Sequence, residues 1–328
     1  MKTRKLGTFE VAEIGHGCMS LSHAYGIPPQ PHEAHQTLRA AFELGVTHFD
    51  TAALYGFGRN EELVGAALKP LRQRIHLASK CGITGIDGRR VIDGRPETLK
   101  RTCQQSLQRL QTDCIDLYYL HRWDKQVPIE DSVGALADMV AAGWIRSIGL
   151  SEVSAATLRK AHAVHPIAAI QSEYSLWTRN PEIAVLDACR ELGVTFVAFS
   201  PLGRGFLAGA VTDPGAFVEQ DIRRSMPRFR EPYFATNLLL LGSYARLAQS
   251  AGCTLPQLAL AWLLHKAEHV LPIPGSTSSA HIAENIGACQ VHIEPLVLQR
   301  LETLLNARSV SGARYSAQTQ TEIDTEDW

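Results

Sequence analysis

The stretch HEAHQTLRAAFELGVTHFD, residues 32–50, contains the pattern from which the fold can be read. Helical periodicity runs over His32–Leu44, one glycine follows at Gly45, and the β-branched and aromatic run Val46–Asp50 begins at once. A glycine directly behind a helical pattern is where a left-handed C-cap belongs. The same punctuation recurs at Gly143, between the helical Ile129–Ala142 and the strand-like Ile145–Leu150. It recurs again at Gly193, between Pro181–Leu192 and Val194–Ser200. Repeated helix–glycine–strand units imply a parallel sheet with helices on its faces.

Working outward, further strand runs stand at Ile14–Gly17, Ile75–Lys80, Ile115–His121, Ala168–Gln171 and Val270–Ile273. Helical periodicity also covers Pro96–Leu110 and Tyr244–His265; in the first, Leu99, Cys103, Leu107 and Leu110 share one face. Eight strands alternating with helices fit a closed (β/α)8 TIM barrel, whose usual size is about 250 residues. The remaining chain has places to go. Met1–Glu13 is expected to form an N-terminal β-hairpin across the barrel floor, turning at Gly7–Thr8. Arg204–Pro232 reads as a long loop on the C-terminal face, with Arg223, Arg224, Arg228 and Arg230 and breaks at Pro214 and Pro227. Ser309–Trp328 is polar, acidic at its end, and expected to be a poorly ordered tail. Length alone would allow about two domains. No low-complexity linker divides the chain, so residues 1–328 read as a single barrel domain.

The rival architecture is an open dinucleotide-binding sheet. Gly203-Arg204-Gly205-Phe206-Leu207-Ala208 matches G-x-G-x-x-A behind a strand. That pattern requires a helix to start within it, so that a pyrophosphate meets the helix N-terminus. Gly209, Pro214 and Gly215 make the continuation a poor helix, and the motif follows the seventh strand instead of the first.

Composition narrows the function. Thirty-two Lys and Arg against thirty-three Asp and Glu leave a formal net charge of -1, and no global field to attract nucleic acid or an anionic membrane. No apolar run approaches the 18 or so residues of a membrane span, and Met1–Glu13 has no apolar signal-peptide core. Seven cysteines without a CxxC pair argue against a disulfide framework or zinc ribbon. A cytoplasmic protein is the expectation.

Polar residues collect where strands end: Asp50, Lys80 and His121 each close one, and Tyr55 follows Asp50 by five residues. In a parallel barrel all strand C-termini reach the same face, so a carboxylate, an ammonium, an imidazole and a phenol converge there. Together they make an acid catalyst. A free tyrosine is a weak donor near neutrality. An ammonium about 4 Å away favours the phenolate by about 4 kcal/mol at an effective dielectric near 20, or roughly three pKa units. Desolvation opposes this, leaving a smaller expected net shift. Asp50 would hold Lys80 protonated, and His121 would orient a substrate oxygen or relay a proton. With no nucleophile and no metal-ligand spacing, the set fits carbonyl reduction with hydride from a cofactor.

These segments resemble the aldo-keto reductase superfamily. FDTAALYGFGRNE (Phe49–Glu61), SK (Ser79–Lys80), DLYYLHR (Asp116–Arg122), AFSPLGRGFLAG (Ala198–Gly209) and IPGSTSSAHIAEN (Ile273–Asn285) resemble its catalytic, pyrophosphate and adenosine segments in order. The resemblance implies a barrel binding NADP(H) across its C-terminal face, with Asp50, Tyr55, Lys80 and His121 as the catalytic tetrad and Tyr55 the proton donor. It implies Gly17, Cys18, Met19 and Asp50 beside the cofactor, Ser151, Glu152 and Gln171 at the nicotinamide carboxamide, and Phe199 stacked on its ring. Ser200, Pro201, Leu202, Gly203, Gly205 and Leu207 would cradle the pyrophosphate, and Ser276, His281, Glu284 and Asn285 would hold the adenosine end.

The sequence departs from the family's pattern in two places. Glu152 stands where many relatives carry Asn; a carboxylate still accepts from an amide, so the contact is expected in altered form. Relatives commonly carry Lys or Arg near Thr277 and at the His281 position to grip a 2′-phosphate, and this segment has neither. NADPH remains the expected cofactor, with NADH the alternative. Tyr25, Tyr55, His121, Trp123 and the Arg204–Pro232 loop are candidates for the substrate pocket. Aromatic walls with few charges suit aldehydes or cyclic ketones better than phosphorylated sugars. The expected partner is thus a small carbonyl compound, with the oligomeric state open. A regulatory subunit that binds cofactor without turnover, as some relatives are, is the alternative class.

Overall fold

The computed structural model describes residues 1–86 and 89–328. β1 (Thr3–Leu6) and β2 (Phe9–Ala12) pair antiparallel around Gly7–Thr8. Gly7 donates from its amide to Thr195 Oγ1 at 3.2 Å, and a Cβ there would lie 2.6 Å from the Ala168 Cβ. The hairpin therefore closes the floor beneath two barrel strands, as expected.

The barrel strands are β3 (His16–Gly17), β4 (His48–Asp50), β5 (His76–Cys81), β8 (Ile115–Leu120), β9 (Ile145–Ser151), β10 (Ile167–Glu173), β11 (Thr195–Phe199) and β12 (Val270–Ile273). They form one eight-stranded parallel sheet in sequential order. Closure comes from a parallel bridge between Gly17 and Gly275, with amides donating from Gly15 to the Pro272 oxygen and from Gly17 to the Pro274 oxygen. A Cβ at Gly17 would sit a tight 3.0 Å from the Ile273 oxygen, so glycine lets the seam close without displacing that backbone. This is the (β/α)8 barrel the helix–glycine–strand punctuation implies. Gly45, Gly143 and Gly193 have φ of 97°, 75° and 68°, the left-handed helix ends they were read as.

Helices alternate with these strands: α1 (Pro31–Glu43), α2 (Arg59–Leu68), α3 (Pro96–Leu110), α4 (Ile129–Ala141), α5 (Ala155–Val164) and α6 (Val185–Leu192), then α7 (Tyr233–Ser250), α8 (Leu255–Lys266), α9 (Ser279–Gly287), α10 (Pro295–Leu304) and α11 (Ala317–Gln320). The single helix expected over Tyr244–His265 is two. Gly252 takes φ of 64°, and Thr254 and Gln257 form a capping box that starts α8. Sequence periodicity also passed over the four-residue hairpin strands β6 (Ile83–Ile86) and β7 (Arg89–Ile92).

Two apolar clusters hold the sheet. Ala78, Leu117, Tyr119, Ala169, Val197 and Leu271 fill the barrel interior above Leu6 and Val11 of the hairpin. Tyr118, Leu120, Ile148, Ile170 and Phe196 face the helices instead. Residues 309–328 correct the expectation of a poorly ordered tail. Ile323 is buried, and Asp324 accepts from Ser154 Oγ and Thr157 Oγ1 at 2.9 and 2.6 Å. Glu326 takes the Ala155 amide at 2.7 Å. The acidic end thus sits on the N-terminus of α5, where free amides and the helix dipole favour negative charge. Among the described residues no helix is long and apolar enough to cross a membrane.

Candidate active site

Side chains alternate across a strand, and the interior cluster sets the parity. Lys80 stands one inward step above Ala78, His121 above Tyr119, Gln171 above Ala169, and Phe199 above Val197. The polar residues therefore form the top layer of an apolar barrel. Tyr55 reaches them from the short turn after β4.

Lys80 is buried, its Nζ bound to Asp50 Oδ1, to the Thr51 oxygen at 2.8 Å, and to the Tyr55 hydroxyl at 3.3 Å. Gln171 Nε2 donates to the other Asp50 oxygen at 2.7 Å. The His121 ring meets Tyr55 edge-on at 5.9 Å, and the His23 ring stacks near-parallel to Tyr55 at 6.3 Å. Burial alone would lower the Lys80 pKa, but Asp50 and Tyr55 outweigh it and hold the ammonium charged. Burial raises Tyr55 above the ordinary tyrosine value, and the pull of Lys80 does not reverse this. The net lowering expected from the sequence is thus corrected: desolvation wins. Burial, reinforced by Arg122 and Lys80, pushes His121 well below the ordinary histidine value, so its ring is neutral near pH 7. Cys18 is buried beside Asp50 and Lys80, whereas Cys81 points from β5 into the outer core with Cys103 and Tyr118; burial raises both thiols, which makes them packing residues.

The tetrad opens on a cavity of about 680 Å³. Its wall brings together Gly17, Cys18, Met19, Tyr25, Asp50, Tyr55, His121, Ser151, Gln171, Phe199, Ser200, Pro201, Leu202, Gly205, Ser276, His281, Glu284 and Asn285. Lys80 lies behind the wall. Four expected residues are elsewhere. Glu152 turns away at φ of 56°, and Arg314 Nη1 and Nη2 grip its carboxylate at 3.0 and 2.5 Å. Leu207 is buried in the outer core, and Gly203 backs onto the Trp177 ring. Trp123 packs on the same core and donates from Nε1 to the Val127 oxygen at 2.9 Å.

Arg204 and Arg223 of the long loop turn inward, while Arg224 and Arg230 are exposed. Arg204 pairs with buried Glu173 at 2.6 Å and donates to Tyr25 at 3.0 Å; Arg223 pairs with Asp221 at 2.6 Å. The G-x-G-x-x-A segment holds only a short 3-10 turn at Gly203–Gly205, with no helix starting in it. The sequence reading missed His23, Arg90, Arg122 and Tyr315 on the wall. For Arg122 a signal was available in its position after His121. Tyr315 had none, because it arrives with the folded-back C-terminal segment.

The aldo/keto reductase family model matches residues 13–306. The NADP(+) aldo-keto reductase yakc of Schizosaccharomyces pombe is 43% identical over 321 residues, covering 95% of this chain and 94% of that protein. The glycerol dehydrogenase of Gluconobacter oxydans is similar in structure, with a TM-score of 0.86, 26% identity, and coverage of 95% and 97% of the two chains. An aldo-keto reductase from Klebsiella pneumoniae, solved in complex with NADPH, has a TM-score of 0.74 and 28% identity over 96% and 98%. With the family model spanning the barrel and the relatives matched nearly end to end, the chain belongs to the aldo/keto reductase family and is a nicotinamide-dependent oxidoreductase.

Proposed function

We propose that the protein reduces aldehydes and ketones to alcohols with NADPH, and that Tyr55 is the proton donor. The observation that carries this reading is the Asp50–Lys80–Tyr55 hydrogen-bond relay, set beside neutral His121 on the cavity wall.

The cavity suits a nicotinamide cofactor in its polarity. Gln171 commits its amide nitrogen to Asp50 and so offers its oxygen as an acceptor, while the Ser151 hydroxyl can donate. A primary carboxamide needs that combination. Gly17 and Gly275 leave backbone exposed along the seam where a side chain would intrude. Ser200 and Arg204 hold positive φ of 49° and 56° just past β11, strain of the kind that clusters where backbone shapes a ligand site. The first turn of α9 carries free amides of the kind that bind phosphate. When bound, the nicotinamide supplies the hydride.

The chain's own groups handle the proton. Tyr55, raised by burial, stays protonated near neutrality and can donate to the carbonyl oxygen. As its proton departs, the ammonium at 3.3 Å meets a full negative charge and favours it by roughly 5 kcal/mol at an effective dielectric near 20. That attraction grows only as the proton moves, so it lowers the barrier instead of tightening substrate binding. Asp50 keeps Lys80 charged throughout. His121, neutral, can donate to the same carbonyl oxygen and fix its position. The NADP(+) name of the fission-yeast relative and the NADPH complex from Klebsiella pneumoniae support NADPH as donor.

The test is the loss of NADPH absorbance with a panel of aldehydes and ketones, run with titrations of cofactor binding. Turnover with several carbonyls is expected. Tight cofactor binding with no turnover on any of them would overturn the enzyme reading and leave the regulatory alternative.

A further inference from the structure

Arg122 follows His121 at the top of β8 and is 7% exposed. Nη1 donates to the His121 carbonyl at 2.7 Å and to Ser151 Oγ at 3.3 Å, which fixes the guanidinium on the cavity wall. Its Nε is buried without a hydrogen-bond partner. Other arginines on the wall are neutralised: Arg204 by Glu173, Arg223 by Asp221, Arg90 by Glu322. Among the described residues no carboxylate lies within ion-pair distance of Arg122, and the Asp50 carboxylate on the same wall is held by Lys80. A buried charge is costly without a partner, and a planar guanidinium is matched in shape to a carboxylate.

We infer that Arg122 is a substrate-selecting residue that receives a carboxylate carried by the carbonyl substrate, so that oxo acids and carboxylated aldehydes are preferred over neutral carbonyls. This rests on the reductase reading. The carboxylate takes no part in the reaction. The carbonyl gains hydride and proton as before, while the ion pair holds the substrate beside Tyr55 and His121. No other arginine on the wall is free for that task among the described residues.

The test compares 4-oxobutanoate with its methyl ester, whose aldehydes are insulated electronically from the acid by two methylenes. Wild type is expected to favour the acid at least tenfold in kcat/KM, mainly through KM. Arg122→Gln is expected to lower the acid-to-ester ratio at least tenfold, and Arg122→Lys to restore part of it. A purely structural role would lower both substrates together and leave the ratio unchanged, which would overturn the inference, as would a wild-type preference for the ester. Calorimetry of 4-hydroxybutanoate binding to the NADPH-loaded protein gives a reading without turnover. At least tenfold weaker binding in Arg122→Gln is expected, and equal binding would also overturn the inference. If no variant turns over any carbonyl but wild type still binds 4-hydroxybutanoate through Arg122, the reductase reading fails while the anion site stands.

Discussion

Arg314→Met removes a guanidinium from Glu152 while keeping most of the side chain's apolar volume. In the native protein the two side chains are 8% and 0% exposed, and the carboxylate receives Arg314 at 3.0 and 2.5 Å. What remains for Glu152 is the Glu173 amide at 2.9 Å. Removing one partner of a buried pair costs about 3–5 kcal/mol, because the other charge stays buried and uncompensated. At about 2–4 °C per kcal/mol for chains approaching this size, Tm should fall by about 10 °C. Glu152→Gln combined with Arg314→Met takes the charge away and should recover most of the loss, with a coupling of at least about 2 kcal/mol between the sites. Thermal and urea unfolding followed by circular dichroism measure both. Because Tyr315 follows Arg314 and lines the cavity, the single variant should also raise substrate KM several-fold with little change in cofactor Kd. A Tm change under about 2 °C, or strictly additive double-variant energies, would refute the buried, mutually dependent pair.

Three further outcomes follow from the same geometry. Tyr55→Phe should lower kcat by about a thousandfold while cofactor Kd, measured by fluorescence titration, changes by less than about twofold; undiminished turnover would remove Tyr55 as donor. In the reductive direction, kcat/KM should be flat from about pH 6 to about pH 9, since His121 is held neutral and Tyr55 protonated across that range. Activity should then fall as pH rises through the raised Tyr55 pKa, and a decline complete by about pH 8 would contradict the assignment. Pro274–Asn285 carries no Lys or Arg, so the NADPH-to-NADH ratio of kcat/KM should be modest, and His281→Arg should raise it about tenfold through a bidentate phosphate contact. An unchanged ratio in that variant, or a strong NADH preference in wild type, would overturn the assignment of NADPH.

What the sequence determined by itself was local and periodic. Gly45, Gly143 and Gly193 mark helix ends because the left-handed conformation is a property of a single residue. Asp50, Lys80 and His121 could be placed together because each closes a strand, and in a parallel barrel all strand ends reach one face whatever the contacts are. The α7–α8 break was also written locally, in Gly252 and Thr254-Leu255-Pro256-Gln257, but a continuous apolar pattern masked it. The tertiary structure alone decided which charges meet. Glu152 adjoins Ser151 in sequence, yet its carboxylate is claimed by Arg314, 162 positions away. The acidic end of the chain looked like a solvated tail until α5 supplied its amides. Burial reversed the expected direction for Tyr55, because desolvation depends on everything packed around the ring and the sequence named only its charged neighbour. Arg122 was visible beside His121 from the start. Its lack of a counter-ion became apparent only when every carboxylate nearby had been assigned elsewhere, because ion pairing is settled by distances between residues far apart in the chain.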